Sequence, residues 1–198
     1  CRCAFEEISG LGLATPAGLS IFAGSRAKPS PVVRLFSFLI PKADVPVALD
    51  IDGAKTDHEG TQRDVFSPDM VARPQAPLAP DLADPVEVPL VRLAWGRSGD
   101  KGNKANIGII ARKSEYLPYI WAALDDAAIR ARFGHFMAAD SGFDRYVLPG
   151  CHGMNILIHE ALGGGGVASL RNDPQGKAYA QILLDHPVPV SREIAESL

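Results

Sequence analysis

Apolar and polar residues alternate along two stretches of the chain, and the elements they predict bracket a glycine-rich segment. Val91, Leu93 and Trp95 alternate with Arg92 and Ala94, and Ala105, Ile107, Ile109 and Ala111 repeat the pattern further on. A period of two places every second side chain on one face, so both stretches read as half-buried strands. The segment between them, GRSGDKGNKANIG at residues 96–108, reads as the loop that joins them.

Other patterns fill in the rest. Val32 to Ile40 is almost continuously apolar, the pattern of a strand buried on both faces, and Val45 to Ile51 reads as a second strand. Ser114 is placed to cap a helix, and Ile129, Phe133 and Phe136 recur at helical spacing within Asp125 to Met137. Arg145 to Leu148 predicts a short strand stopped by Pro149 and Gly150. Met154 to Leu162 predicts a short helix ended by Gly163. Asp173 with Pro174 opens a further helix to about Asp185, and Val188 and Val190 suggest a last edge strand. Strands and helices mix without regular βαβ alternation, so the class is α+β.

Composition divides the chain into three zones. Prolines at 68, 74, 77, 80 and 85 follow a polar stretch with few apolar residues, which predicts a semi-rigid linker over 53–85. Residues 1–52 then form the end of an incomplete N-terminal domain, and residues 86–198 a domain of their own. The opening CRCAFEE, without methionine, suggests a piece of a longer protein.

Charge and cysteine usage narrow the partners. A net charge of −3 and a pI of about 5.9 speak against nucleic acid and acidic lipid surfaces. No apolar run approaches the ~18 residues that span a bilayer. Three cysteines in 198 residues do not make a disulfide scaffold, which points to the cytoplasm.

Chemistry concentrates in two glycine-rich segments. In the first, Gly99 and Gly102 would let backbone N–H groups converge on an anion while Arg97, Lys101 and Lys104 add charged donors. In the second, GGGGVASLRNDPQGK at 163–177, the glycines suggest close approach of another backbone or a ligand, with Ser169, Arg171 and Lys177 as donors. The candidate anion site comprises Arg97, Ser98, Gly99, Asp100, Lys101, Gly102, Asn103, Asn106, Asn155, Gly164, Gly165, Ser169, Arg171, Asp173 and Lys177. A polar strand connection and a solvated glycine hairpin explain the same residues equally simply.

Phosphate-loop, nucleophile-elbow and dinucleotide signatures do not fit. Cys151, His152 and His159 match no usual zinc spacing, so no metal is expected, and His135 and His159 read as structural. Asp125 and Asp126 look like capping residues rather than an acid/base pair.

WGRSGDKGNKANIGIIAR (95–112), RYVLPG (145–150), MNILIHEALGGGG (154–166) and SLRNDPQGKAYAQILL (169–184) together resemble the C-terminal domain of the acyclic terpene utilisation (AtuA) family. AGSRAKPSPVVRLFSFLIPKADVPV (23–47) resembles the end of that family's larger N-terminal domain. The resemblance implies a ferredoxin-like antiparallel sheet with helices on one face. It also implies a role in bacterial breakdown of acyclic terpenes such as citronellol and geraniol, whose intermediates are acyl-CoA thioesters. Ile156 stands where the family leads one to expect an aromatic, and GGGG is one glycine richer than its usual turn.

Two functions stay open at this point. The domain either contributes an anion site, for a CoA phosphate or carboxylate, to an enzyme of branched acyl-CoA catabolism, or is a non-catalytic module of homo-oligomeric assembly. A structural relic in a truncated product is a third reading. No cofactor is identified beyond a CoA thioester as substrate, and no catalytic motif is visible.

Overall fold

The computed structural model describes Pro31, residues 36–58 and residues 67–198. The chain divides into the units Cys1–Leu35 and Phe36–Leu198, and the account below concerns the second. After a 3-10 turn at Lys42–Asp44 comes a small hairpin, β1 (Ala48–Ile51) and β2 (Ala54–Asp57), turned at Asp52 and Gly53. The Asp50 carboxylate accepts from the Gly53 N–H at 3.0 Å. The strand expected at Val45 to Ile51 is thus shorter than its apolar run. Of the strand expected at Val32 to Ile40, residues 36–40 are exposed and irregular, and Val32 to Leu35 lie outside the described residues.

From Ser67 to Pro85 the chain is irregular apart from a 3-10 turn at Pro68–Met70. Then follow β3 (Val86–Pro89), a single helical turn α1 (Leu90–Leu93), and the long hairpin β4 (Ala94–Lys101) and β5 (Lys104–Ala111). Two short helices, α2 (Leu117–Ala123) and α3 (Asp126–Phe133), lead to a second hairpin, β6 (Phe143–Leu148) and β7 (Gly153–Ile158). The chain closes with α4 (Tyr179–Leu184), β8 (Pro187–Val190) and α5 (Arg192–Ser197).

The four long strands make one antiparallel sheet in the order β4-β5-β7-β6, while β3 and β8 pair separately. The second hairpin reverses on itself so that β7, not β6, lies beside β5. Taken cyclically, the succession of strands and helices β4-β5-α-β6-β7-α is the β-α-β-β-α-β arrangement of ferredoxin-like folds started at its third element.

One face of this sheet carries the core. Ala105, Ile107 and Ile109 of β5 and Met154, Ile156 and Ile158 of β7 are fully buried, together with Ile120, Ile129, Phe133, Ala180 and Leu183 from the helices. Each large apolar side chain removed from water contributes about 1.5–3 kcal/mol, so this face fixes the strand registers. Asp125 caps α3 by accepting from the Ala128 N–H at 2.8 Å. Ser114 makes no such cap and instead begins a 3-10 turn, Ser114–Tyr116.

Three expectations need correction. Val91 and Leu93 belong to α1, and the strand starts at Ala94, because Leu90 and Leu93 both turn into the core. Met154 to Ile158 is a central strand, not a helix. Met154, Ile156 and Ile158 are buried while Asn155 and Leu157 stay half-covered, a period of two that the flanking apolar residues mask. The helix expected from Pro174 starts at Tyr179 instead, because the Asp173 carboxylate accepts from Lys177 N–H (2.9 Å) and Ala178 N–H (2.8 Å) and holds the preceding turn apart from it.

Candidate functional site

The first glycine-rich segment is strand, not loop. Arg97 faces Gly108, Ser98 faces Ile107, Gly99 faces Asn106 and Asp100 faces Ala105, and only Gly102 and Asn103 connect the strands. Gly102 has φ +64, which suits the first central position of a tight hairpin turn. Backbone N–H groups along a strand alternate in direction, so those of 96–101 do not converge on one point. What remains for chemistry is the side chains. The Gly-Asn pair between alternating runs was the available hairpin signal.

The hairpin tip and the second glycine-rich segment meet. Asn103 Oδ1 accepts from the Gly164 N–H at 2.7 Å, its Nδ2 donates to Glu160 Oε2 at 2.5 Å, and its carbonyl accepts from the Ala161 N–H at 3.0 Å. Gly165, buried at φ +93, lies so close to the tip that an added Cβ would sit 3.0 Å from the Gly102 carbonyl oxygen. The glycine there answers a neighbouring backbone.

Several other candidates are engaged inside this clasp. Ser98 is buried, its hydroxyl donating to the Lys177 carbonyl at 3.0 Å and accepting from the Ala180 N–H at 2.9 Å. Arg171 donates to the carbonyls of Ala161 and Phe136 and lies 5.8 Å over the Phe136 ring. Tyr179 donates to the same Ala161 carbonyl at 2.8 Å, and its burial raises the phenol pKa against the opposing pull of Arg171. The Ser169 hydroxyl accepts from the Arg171 N–H. Ser98, Asn103, Gly164, Gly165, Ser169, Arg171 and Asp173 therefore hold the fold's corner together.

Arg97, Lys101 and Lys177 stand apart from that network. Among the described residues no hydrogen bond or ion pair engages their side chains. Lys177 Nζ reaches over Gly99, where an added Cβ would meet it at 3.2 Å, and Lys101 faces Lys104 directly across the hairpin. Asp100 lies at the clasp, its carboxylate 3.6 Å from where a Cβ of Gly166 would stand.

Strand parity places Arg97, Asn106 and Asn155 on the sheet face opposite the core. On that face three rows cross the strands. The first is Trp95, Ile110, Gly153 and Leu148; the second is Arg97, Gly108, Asn155 and Tyr146; the third is Gly99, Asn106, Leu157 and Asp144. Trp95, Ile110, Tyr146 and Leu148 are exposed at 55%, 44%, 41% and 36%. Gly153 is required in the first row, since a Cβ would come within 2.7 Å of the Ile109 carbonyl oxygen. At the far corner His159 Nε2 lies 2.7 Å from Asp144 Oδ2. The row is hidden in the sequence because Trp95 alternates in phase with Val91 and Leu93, which reads as a buried position, whereas the strand starts at the buried Ala94 and turns Trp95 outward.

A mostly apolar cleft of about 500 Å³ separates the Pro68–Ala76 segment from Trp121 and Arg145–Val147. Arg145 is committed there, donating to the Trp121 and Leu124 carbonyls at 3.1 and 2.8 Å beneath the Trp121 ring. Cys151 and His152 sit in the turn between β6 and β7. Among the described residues no cluster could hold a metal ion, and no helix is long and apolar enough to cross a membrane.

Comparison with known families finds one match: the model described as the AtuA ferredoxin-like domain aligns with residues 88–189, just over half of the chain. No curated protein and no solved structure matches it.

Proposed function

The chain belongs to the AtuA ferredoxin-like domain family, and from that premise we propose that its domain is a non-catalytic assembly module of a protein acting in acyclic terpene breakdown. The observation that carries this reading is the apolar row Trp95, Ile110, Gly153 and Leu148 on the uncovered sheet face. A sheet of this class buries one face under helices, and a solvated second face is ordinarily polar. Here its end row carries apolar side chains on three of the four strands, with Gly153 between them, and Arg97 and Asn155 stand in the next row as a polar rim, the anatomy of a protein interface. A second copy of the same face is self-complementary about a twofold axis, the commonest symmetry of soluble oligomers. Sedimentation of the 198-residue chain tests this: twice the monomer mass at raised concentration is expected, and a monomer throughout contradicts it.

A second reading, an anion site for a CoA phosphate or carboxylate, draws on Arg97, Lys101 and Lys177. Lys101 and Lys104 oppose each other across the hairpin, an arrangement that costs stability unless an anion offsets it. Calorimetry with CoA and a geranyl thioester, on the chain and its Lys101→Ala, Lys177→Ala variant, tests it. Binding lost in the variant is expected; equal binding or none contradicts it.

A further inference from the structure

A second cluster of cations lies away from the clasp, where α1, the end of β5 and the following turn come together with α5. Arg92, Arg112, Lys113 and Tyr116 line a cleft of about 410 Å³, with Ser197 and Leu198 on its other side. We propose that this cleft binds the phosphoryl group of a small phosphate ester.

Arg112 is preorganised for such a role. Its Nε donates to the Val91 carbonyl at 3.2 Å and its guanidinium lies 4.6 Å from the centre of the Trp95 ring. The plane is fixed by these two contacts, and among the described residues neither of its Nη groups has a partner. A guanidinium held this way offers two parallel donors, the geometry that suits phosphate oxygens. Lys113 lies 5.4 Å over the Tyr116 ring, and among the described residues its one ion-pair partner is the exposed Glu115 at 4.0 Å. Arg92 has no carboxylate within ion-pair distance among the described residues. Three cations thus share one opening in a chain whose net charge is −3.

The tyrosine supplies an independent observation. Tyr116 is 1% exposed, and its hydroxyl is a buried side-chain polar atom without a hydrogen-bond partner. Buried hydroxyls are nearly always paired, and an unpaired one costs stability. The hydroxyl lies close to the Lys113 ammonium and raises its pKa, so the ring holds that cation, charged, at the mouth of the cleft where a phosphate oxygen would meet it. This site does not rest on the assembly reading, although it borders that surface: Trp95, against which the Arg112 guanidinium lies, is the first residue of the open-face row.

Titration of the isotopically labelled chain with inorganic phosphate and with glycerol 1-phosphate, at constant ionic strength, tests the proposal by amide and guanidinium shifts. Saturable shifts at Arg112, Lys113 and Tyr116 are expected, weakened about tenfold or more in Arg92→Gln, Lys113→Gln. Arg130→Gln, exposed on α3, should bind as the parent does. Tyr116→Phe carries a double signature: it should bind phosphate several-fold more weakly while unfolding at a higher temperature without phosphate, because the unpaired hydroxyl is gone. Shifts that do not saturate, survive Arg92→Gln, Lys113→Gln, or are matched by propionate overturn the phosphoryl site.

Discussion

The hydroxyl of Ser98 accepts the backbone N–H of Ala180 at 2.9 Å, tying the edge strand β4 to the first turn of α4. The same hydroxyl donates to the Lys177 carbonyl, so one small side chain satisfies a backbone group of the turn before the helix and another of the helix's first turn. Ser98→Ala leaves both without a partner. It should lower stability by about 1–3 kcal/mol, seen as a lower urea midpoint with an unchanged slope.

Arg171 extends the same corner by bridging the Ala161 and Phe136 carbonyls, two segments that no strand pairing joins. Arg171→Met should destabilise by about 2–3 kcal/mol, since charged donors to buried carbonyls are among the stronger hydrogen bonds. Arg171→Lys should not restore it, because a single ammonium does not span two carbonyls as a fork does. Thermal unfolding of the three proteins checks both statements.

Asn103 holds Gly164 and Glu160 from the hairpin tip. Asn103→Ala should free the 163–176 segment locally, raising amide exchange at Gly164 and Ala161 while exchange in β5 and β7 stays near the parent's. Equal acceleration in the strands would mean the clasp supports the whole domain.

His186 sets a pH dependence. Burial pushes its pKa below the usual 6.5, more than the Ala123 carbonyl at 3.1 Å pulls it up. The unfolded chain therefore binds a proton that the folded chain resists, so the contribution is fully present above the unfolded pKa. Stability falls as pH drops below about 6.5, towards the lowered folded pKa. His186→Gln should show a shallower loss of Tm between neutral and mildly acidic pH than the parent; parallel curves would assign the pH response to other groups.

The α+β class and the strand β5 were legible because β5 presents an unbroken alternation of Ala105, Ile107, Ile109 and Ala111, whereas the glycines and charges of Gly96 to Lys101 made most of β4 read as a loop. The central strand β7 was not. Leu157 adds an apolar side chain on the open face, and Ala161 and Leu162 continue the run beyond the strand end, so one sequence satisfies both periods. Only its place between β5 and β6 decides the matter. The candidate site was legible as residue types but not as roles. Arg171 and Lys177 are both cations in a glycine-rich segment, yet burial turns one inward to backbone carbonyls and leaves the other at Gly99. Trp95, Ile110 and Leu148 come together only across strand registers, a relation no local pattern contains.

The most direct measurement is sedimentation equilibrium of the 198-residue chain beside its Ile110→Lys, Leu148→Lys variant, with circular dichroism and Tm as controls for folding. Both substitutions fall at exposed positions on the open face, so the variant should fold as the parent does. The account predicts a parent that self-associates and a variant that stays monomeric at the same concentration. A monomeric parent, or a folded variant that associates as tightly as the parent, would contradict it.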